Sequence, residues 1–339
     1  MKSTLPDLYR SIDKSIRTLY VFPRIPLSSI WNPYLSLLYK DFLVPENNTT
    51  GIICKSPHPL LPVFIIKRLF GERSVVHYHW LEFSDIPGFI ILLWKLFLLL
   101  TYRAVGGKIV WTIHNRRPHR NKYALLNSLF YRVMAKLAQK IHVHNNEAVQ
   151  SMAQILYVQE DKFYVIEHPR YPVTLIKKEK AINWLRQNMR IPLDNTKPLF
   201  LMYGFIAPYK GTALAVQACI KNNLQLIVAG ECLKGEEAYL KYIKALINNN
   251  KNTSLRQDFL SAEDEMYLFN AADCVVFNFK DILSSGSVIL AQCYKKDIIL
   301  PDVGCLKEME GDDIFKFTTT DELEQQLIAY SKSTVKKGL

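Results

Sequence analysis

Several familiar signatures are missing from this 339-residue chain. Its six cysteines (Cys54, Cys219, Cys232, Cys274, Cys293, Cys305) form no Cys-x-x-Cys pair. Isolated thiols of this kind fit core residues in a reducing cytosol. The first ten residues hold no apolar stretch, which predicts no secretory signal, so the Asn-x-Ser/Thr triplets at Asn47, Asn48 and Asn252 are expected to stay unglycosylated. No Asp-x-Asp occurs, since the neighbouring Asp312 and Asp313 are adjacent, and no metal site is expected from that motif. No internal repeat is evident. No nucleic-acid recognition motif accompanies the net charge of +12, so nucleic acid is not an expected partner. With 49% hydrophobic and 22% charged residues, the chain has the composition of a folded protein long enough for two domains.

Charge is distributed unevenly. Residues 1–180 hold 25 Lys/Arg against 12 Asp/Glu, and residues 181–339 hold 18 against 19. Basicity confined to one half points to an anionic surface or ligand for that half. The segment Ile86 to Tyr102 is strongly apolar, but it is short for a membrane span and carries Lys95 at its middle. Three readings stay open, a buried helix of an α/β layer, a helix lying in the bilayer interface and, least favoured by length and charge, a membrane-spanning helix.

Short β-branched or aromatic runs alternate with helical patterns throughout. Strands are expected at 18–22, 51–54, 74–79, 108–114, 140–144 and 163–167, and again at 198–205, 224–230, 274–279 and 297–300. The alternation predicts parallel sheets with helices on both faces. A polar, proline-marked stretch with the charge run Lys177 to Lys180 reads as a linker. The expected organisation is a domain over 1–175, a linker over 176–192, and a second domain over 193–339 closed by a terminal helix. Two doubly wound α/β domains with a cleft between them are the economical architecture, with ligands at loops beyond the carboxyl ends of the strands.

Two such loops in the second half have the make-up of an anion site. Gly204 to Thr212 combines Lys210, Gly211 and the start of a helix, and Ser284-Ser285-Gly286-Ser287 opens another apolar helix. Free N–H groups, a helix dipole and a full positive charge are what a diphosphate requires. A solvated lysine and an ordinary serine cap are the bland alternatives.

The pattern G-x-I-x-x-x-K-G (Gly204 to Gly211), LIVAG (226–230), NAADCVVF (270–277) and SSGSVILA (284–291) resembles the GT-B glycosyltransferases similar to family four. The resemblance covers most of residues 70–310. It implies two Rossmann-like doubly wound domains facing a cleft, with Gly204, Lys210, Gly211, Gly230, Glu231, Ser285, Gly286 and Ser287 around a nucleotide-sugar donor. Many relatives carry two glutamates eight positions apart near the small-residue loop, where this chain has Ile282 and Leu290. The resemblance is therefore to a divergent branch, and the donor sugar does not carry over.

The first half supplies VVHYHWLEFSD (75–85) and KIVWTIHNRRPHR (108–120), which look like the acceptor domains of the same branch. By that likeness His114 lies beside the transferring sugar, where it could hydrogen-bond a hydroxyl or developing charge. Glu82 is the candidate general base of an inverting course, with Asp85 near it and His79 behind; a retaining course may need no base. His79, Asn115, Arg116, Arg117, His119 and Arg120, with Lys122, are candidates for binding the acceptor or a phosphate; a solvated basic loop is the plain alternative. Trp31-Asn32-Pro33-Tyr34 is expected to open a helix, with Asn32 as cap and Pro33 at the first helical position.

The expected function is transfer of a hexose-type sugar from a nucleotide-diphosphate donor to a glycan or polyprenyl-diphosphate-linked acceptor. The expected place is the cytoplasmic face of an anionic membrane, with no metal and no cofactor beyond the donor substrate. The rivals are a metal-dependent hydrolase using the strand histidine pairs His77/His79 and His142/His144, and a non-catalytic membrane-surface carbohydrate-binding protein.

Overall fold

The computed structural model describes residues 3–26, 33–43, 50–116, 123–248 and 250–336. The chain divides into two compact units, Met1–Pro169 and Arg170–Leu339.

The first unit runs α1 (Leu5–Ile12), β1 (Thr18–Phe22), α2 (Tyr34–Leu38), α3 (Lys40–Leu43), β2 (Ile53–Lys55), α4 (Val63–Leu69), β3 (Ser74–Tyr78), α5 (Ile86–Ala104), β4 (Lys108–Thr112), α6 (Ala124–Leu137), β5 (Lys140–Val143), α7 (Asn146–Leu156) and β6 (Phe163–Val165). Its strands form a parallel sheet in the order β2-β1-β3-β4-β5-β6. After β2 the chain crosses to the other side of β1, so the direction of winding reverses between β1 and β3, the place where such sheets bind ligands. Helix α1 was not anticipated. It is set by a capping box in which Thr4 and Asp7 satisfy each other's backbone N–H groups, and it buries Leu5, Leu8 and Tyr9.

The second unit runs α8 (Lys178–Asn188), β7 (Leu199–Tyr203), α9 (Thr212–Lys221), β8 (Gln225–Ala229), α10 (Glu237–Ile247), β9 (Thr253–Arg256), α11 (Ala262–Ala271), β10 (Cys274–Val276), α12 (Gly286–Cys293), β11 (Asp297–Pro301), β12 (Ile314–Phe317) and α13 (Thr320–Lys336). The order β12-β11-β10-β7-β8-β9, all parallel, is that of a dinucleotide-binding sheet with its switch point between β7 and β10. Alternation along the strands divides the core in two. Leu199, Leu201, Ile227 and Ala229 pack on one face with α8, α11 and α12. Phe200, Met202, Leu226 and Val228 pack on the other with α9, α10 and α13. Each of the larger side chains among these, Leu, Ile, Val, Met or Phe, contributes roughly 1.5–3 kcal/mol.

The stretch expected to be a linker is structured. Its charge run opens α8, which buries Ala181 and Leu185, four residues apart, against the second unit. Trp184 stacks on Tyr267 at 4.1 Å, and Lys178 bonds Asp273 at 2.6 Å. The second unit therefore begins near Arg170. Strands β9 and β12 were also unanticipated. Both are edge strands, half-covered and correspondingly mixed in sequence.

Helix α5 is long and apolar enough to cross a membrane by length and composition, yet it packs as a layer helix through Leu92, Leu98, Leu99 and Tyr102. Its opposite face, with Ile86, Ile90, Leu93, Trp94, Phe97 and Leu100, is exposed.

Candidate active site

In the second unit the loops after β7 and β10 meet at the switch point. Gly204 takes φ +109°, and a Cβ there would stand 3.1 Å from Lys210 Nζ and 3.2 Å from Ser287 Oγ. The missing side chain is what lets the lysine, the serine and the bare backbone converge. Lys210 Nζ lies 4.7 Å from the centre of the Phe279 ring, a cation–π arrangement. Among the described residues no carboxylate forms an ion pair with it, and burial pulls its ammonium down to about 8. A half-buried cation held over a ring, with no carboxylate paired to it among the described residues, has the electrostatic character of a candidate anion site.

The rest of the loop is clamped by backbone. Gly211 caps α9 at φ +62°, and a Cβ there would run into the carbonyl oxygen of Asn278. Asn278 Nδ2 donates to Gly211 O at 3.1 Å, and Lys280 N donates to Tyr209 O at 3.0 Å. The run CVVFNF reads as a strand over 274–279 and so hides Asn278; β10 ends at Val276, which places Asn278 in the site loop. Gly230, at φ +146°, packs back to back with Gly204, so its part is to let the two loops approach. Glu231 has an exposed side chain and contributes its carbonyl oxygen, which accepts from Ile206 N at 2.8 Å. Ser285 is the N-cap of α12, accepting from Val288 N, Gly286 begins the helix, and Ser287 alone of the three is shown turning its hydroxyl to Gly204. At the positions of the two absent glutamates, Leu290 is buried in the core and the Ile282 carbonyl oxygen receives Cys305 N.

The first unit holds a different kind of site. Six of the eight histidines (77, 79, 114, 142, 144 and 168) pack with Tyr9, Tyr34, Tyr39, Trp80 and Thr112 around the carboxyl ends of β3, β4 and β5. Residues two apart on a strand share a face, so His77 stacks on His79 at 4.6 Å and His142 lies 4.7 Å from His144. His142 Nε2 donates to Ile166 O at 3.2 Å. Thr112 Oγ1 bridges His142 Nδ1 at 2.9 Å and His77 Nε2 at 2.7 Å. His77 Nδ1 lies 2.7 Å from the hydroxyls of both Tyr9 and Tyr39. Tyr39 OH also reaches His79 Nε2 at 2.7 Å, and His79 Nδ1 meets His114 Nε2 at 3.0 Å. Burial lowers the pKa of all six, that of His142 to about 4, so the rings are neutral near pH 7.

His114 is half-buried at the end of this chain, with Trp80 stacked on it at 4.3 Å and Tyr34 edge-on at 5.0 Å. His79, expected to bind the acceptor, is fully buried with both ring nitrogens engaged by Tyr39 and His114; it supports His114 and presents no surface. The paired histidines do not form a metal cradle either. Their nitrogens go to tyrosines, Thr112 and the Ile166 carbonyl, and among the described residues no group of three His, Cys, Asp or Glu is arranged to hold a metal ion.

Glu82 is half-buried and receives Tyr131 OH at 2.5 Å and Asn115 Nδ2 at 3.4 Å. Asp85 caps α5 through Gly88 N at 2.7 Å. Arg116, expected to meet a phosphate, is paired with Glu147 in the first turn of α7 at 2.7 Å. Arg117, His119, Arg120 and Lys122 lie outside the described residues, as do Trp31 and Asn32. Pro33 stands at the cap of α2 and not at its first helical position. Tyr34, just after it, donates to His144 Nε2 at 2.9 Å, because His144 Nδ1–H is spent on Ile166 O.

No family model matches the chain, and no curated protein sequence matches it. Solved structures do. Anabaena Alr3699/HepE in complex with UDP and glucose superposes with a TM-score of 0.65 at 13% identity, over 94% of this chain and 91% of that one. A glycosyltransferase from Rickettsia africae gives 0.64 at 17%, over 94% and 89%. The catalytic domain of starch synthase IV from Arabidopsis thaliana, bound to ADP and acarbose, gives 0.58 at 14%, over 80% and 67%. The chain thus has the GT-B fold of two Rossmann-like units.

Proposed function

We propose that this chain is a glycosyltransferase that moves a hexose-type sugar from a nucleotide-diphosphate donor to a glycan or polyprenyl-diphosphate-linked acceptor. The observation that carries the proposal is Lys210. Its ammonium has no carboxylate partner among the described residues, lies over Phe279, and converges with Ser287 on bare backbone at a topological switch point. Structures of the same fold hold UDP or ADP by their own descriptions, which favours the same ligand class here.

As the glycosidic bond to the leaving diphosphate breaks, negative charge grows on the phosphate oxygens. Lys210, the Ser287 hydroxyl and the first N–H groups of α9 and α12 supply fixed positive potential for it. That arrangement suits a reaction without a divalent metal. In the first unit, neutral His114 meets a sugar hydroxyl, and Glu82, oriented by Tyr131 and Asn115, is the candidate base for the acceptor hydroxyl.

Calorimetry with UDP, ADP and GDP tests the donor assignment. Lys210→Ala should weaken the preferred diphosphate about tenfold or more while leaving the thermal midpoint nearly unchanged. Unaltered affinity in a folded variant sinks the assignment. Added EDTA should leave transfer intact.

The location we propose is the cytoplasmic face of an anionic membrane. The exposed apolar face of α5 is continued by exposed Leu69 and Phe70 at α4 and Leu125 and Leu129 on α6. Residues 61–140 carry 13 Lys/Arg against three Asp/Glu, a composition suited to lipid headgroups. Sedimentation with phosphatidylglycerol vesicles and not with phosphatidylcholine vesicles is the expected result; loss of binding in Trp94→Glu/Phe97→Glu locates the face.

A further inference from the structure

Glu265 is a carboxylate where packing gives no reason for one. It lies in the first turn of α11, whose start is already closed by a capping box between Ser261 and Asp264. Acidic side chains suit a helix start, but a solvated carboxylate serves that purpose. Glu265 instead turns inward and is half-buried. Its Oε2 accepts from the Tyr203 hydroxyl at 2.8 Å. Among the described residues no cation pairs with it, and Oε1 has no hydrogen-bond partner. Burial without a cation raises its carboxyl pKa, so the fold gives up stability to keep a charge there.

Tyr203 ties this carboxylate to the site around Lys210. It is the last residue of β7 and directly precedes Gly204. It lines one small cavity with Gly204, Phe205, Lys210 and Asn278. Its ring packs edge-on to Phe269 at 4.8 Å, and Phe269 stacks on Tyr294 at 4.7 Å. These contacts fix the phenol, whose single proton is spent on Glu265. Helices α9 and α12, which open beside Lys210 and Ser285, contain no acidic residue.

Charge narrows what Glu265 can meet. A diphosphate is repelled by a carboxylate and is answered by Lys210. A carboxylate without a cation selects hydrogen-bond donors. On a nucleotide sugar the donors flanking the diphosphate are ring hydroxyls, of the ribose on one side and of the hexose on the other.

We infer that Glu265 Oε1 accepts a hydrogen bond from a ring hydroxyl of the nucleotide-sugar donor, and that Tyr203 is the positioning residue that aims it. The inference rests on the donor site proposed around Lys210. It makes Glu265 a specificity-determining residue of that site, reading hydroxyls where Lys210 reads charge.

The test is calorimetry on the full-length protein. The ligands are whichever of UDP, ADP and GDP binds most tightly, its 2′-deoxy and 3′-deoxy forms, and its glucose, galactose and mannose conjugates. If the ribose supplies the hydroxyl, Glu265→Gln should weaken the diphosphate about tenfold and bind one deoxy form as the wild type does. If the hexose supplies it, the diphosphate should bind both proteins equally, and a conjugate should bind the variant about tenfold more weakly. Wild-type affinities throughout in a folded Glu265→Gln protein, judged by its thermal midpoint, overturn the inference. An equal loss for every ligand, both deoxy forms included, also overturns it, because it marks a purely structural carboxylate. Tyr203→Phe should show the same selective loss to a smaller extent, and it decides the question by the same outcomes if Glu265→Gln does not fold. Normal dependence on Lys210 with an unresponsive Glu265→Gln removes only the role of Glu265; unchanged binding in Lys210→Ala removes the donor site itself.

Discussion

The two units have the same layered α/β plan but assemble their chemistry differently. All eight histidines fall within residues 1–169 and none within 170–339. The first unit builds its candidate site from buried side chains drawn from α1, α2, β3, β4 and β5. The second builds its own from two turns, three positive-φ glycines (Gly204, Gly211, Gly230), one lysine and two helix starts. A backbone-built site depends on local geometry; a site of packed neutral rings depends on the whole unit staying folded.

Acid should separate them most strongly. The buried histidines have folded pKa values below the unfolded value near 6.5, so below pH 6.5 the unfolded chain binds more protons than the folded one. Stability of the first unit is therefore lost as pH falls from about 6.5 toward 4. His142 alone, lowered to about 4, costs the fold about 3 kcal/mol by the end of that window. Hydrogen exchange across the window should show β3, β4 and β5 opening while β7, β8 and β10 stay protected. Simultaneous opening of both sheets would break the contrast.

Gly211→Ala attacks the second site through its backbone. Forcing an alanine into φ +62° against Asn278 should destabilise this unit by about 1–3 kcal/mol and weaken donor binding, as read by denaturant melts and calorimetry. Lys210 sharpens the same point through pH. A bound diphosphate raises its pKa from about 8, so donor affinity should be flat below pH 8 and fall above it, with proton uptake on binding. In Lys210→Met that fall should disappear. The smallest effect is expected at Glu147. Its pair with Arg116 is partly exposed, so Glu147→Gln should change stability by less than about 1 kcal/mol. A larger loss would make Arg116 a structural anchor of the first unit.

Much of the fold was legible. Buried central strands such as TLYVF, VVHY and LQLIVA announce themselves by unbroken β-branched and aromatic runs. The edges β9 and β12 did not, because a half-covered strand tolerates Lys316 and Arg256 in its run. The linker expectation failed for a related reason. In α8 the lysine run dominates the local sequence, and only Ala181 and Leu185 carry the burial. The glycine–lysine loop was legible because its chemistry is contiguous in the chain. Asn278 was not, because whether it sits in a strand or just past its end depends on where β10 stops pairing.

The chain's order of apolar runs and turn residues already determined two parallel layered sheets and a loop that joins glycine, lysine and a helix start, since these follow from period, spacing and local charge. Tertiary structure alone decided that His79 stands behind His114, that Arg116 is answered by Glu147, and that Tyr9, Tyr39 and Thr112 join histidines far away in the chain. Hydrogen bonds between residues 30 or more positions apart leave no trace in local pattern, because only the paired strands bring their partners within reach.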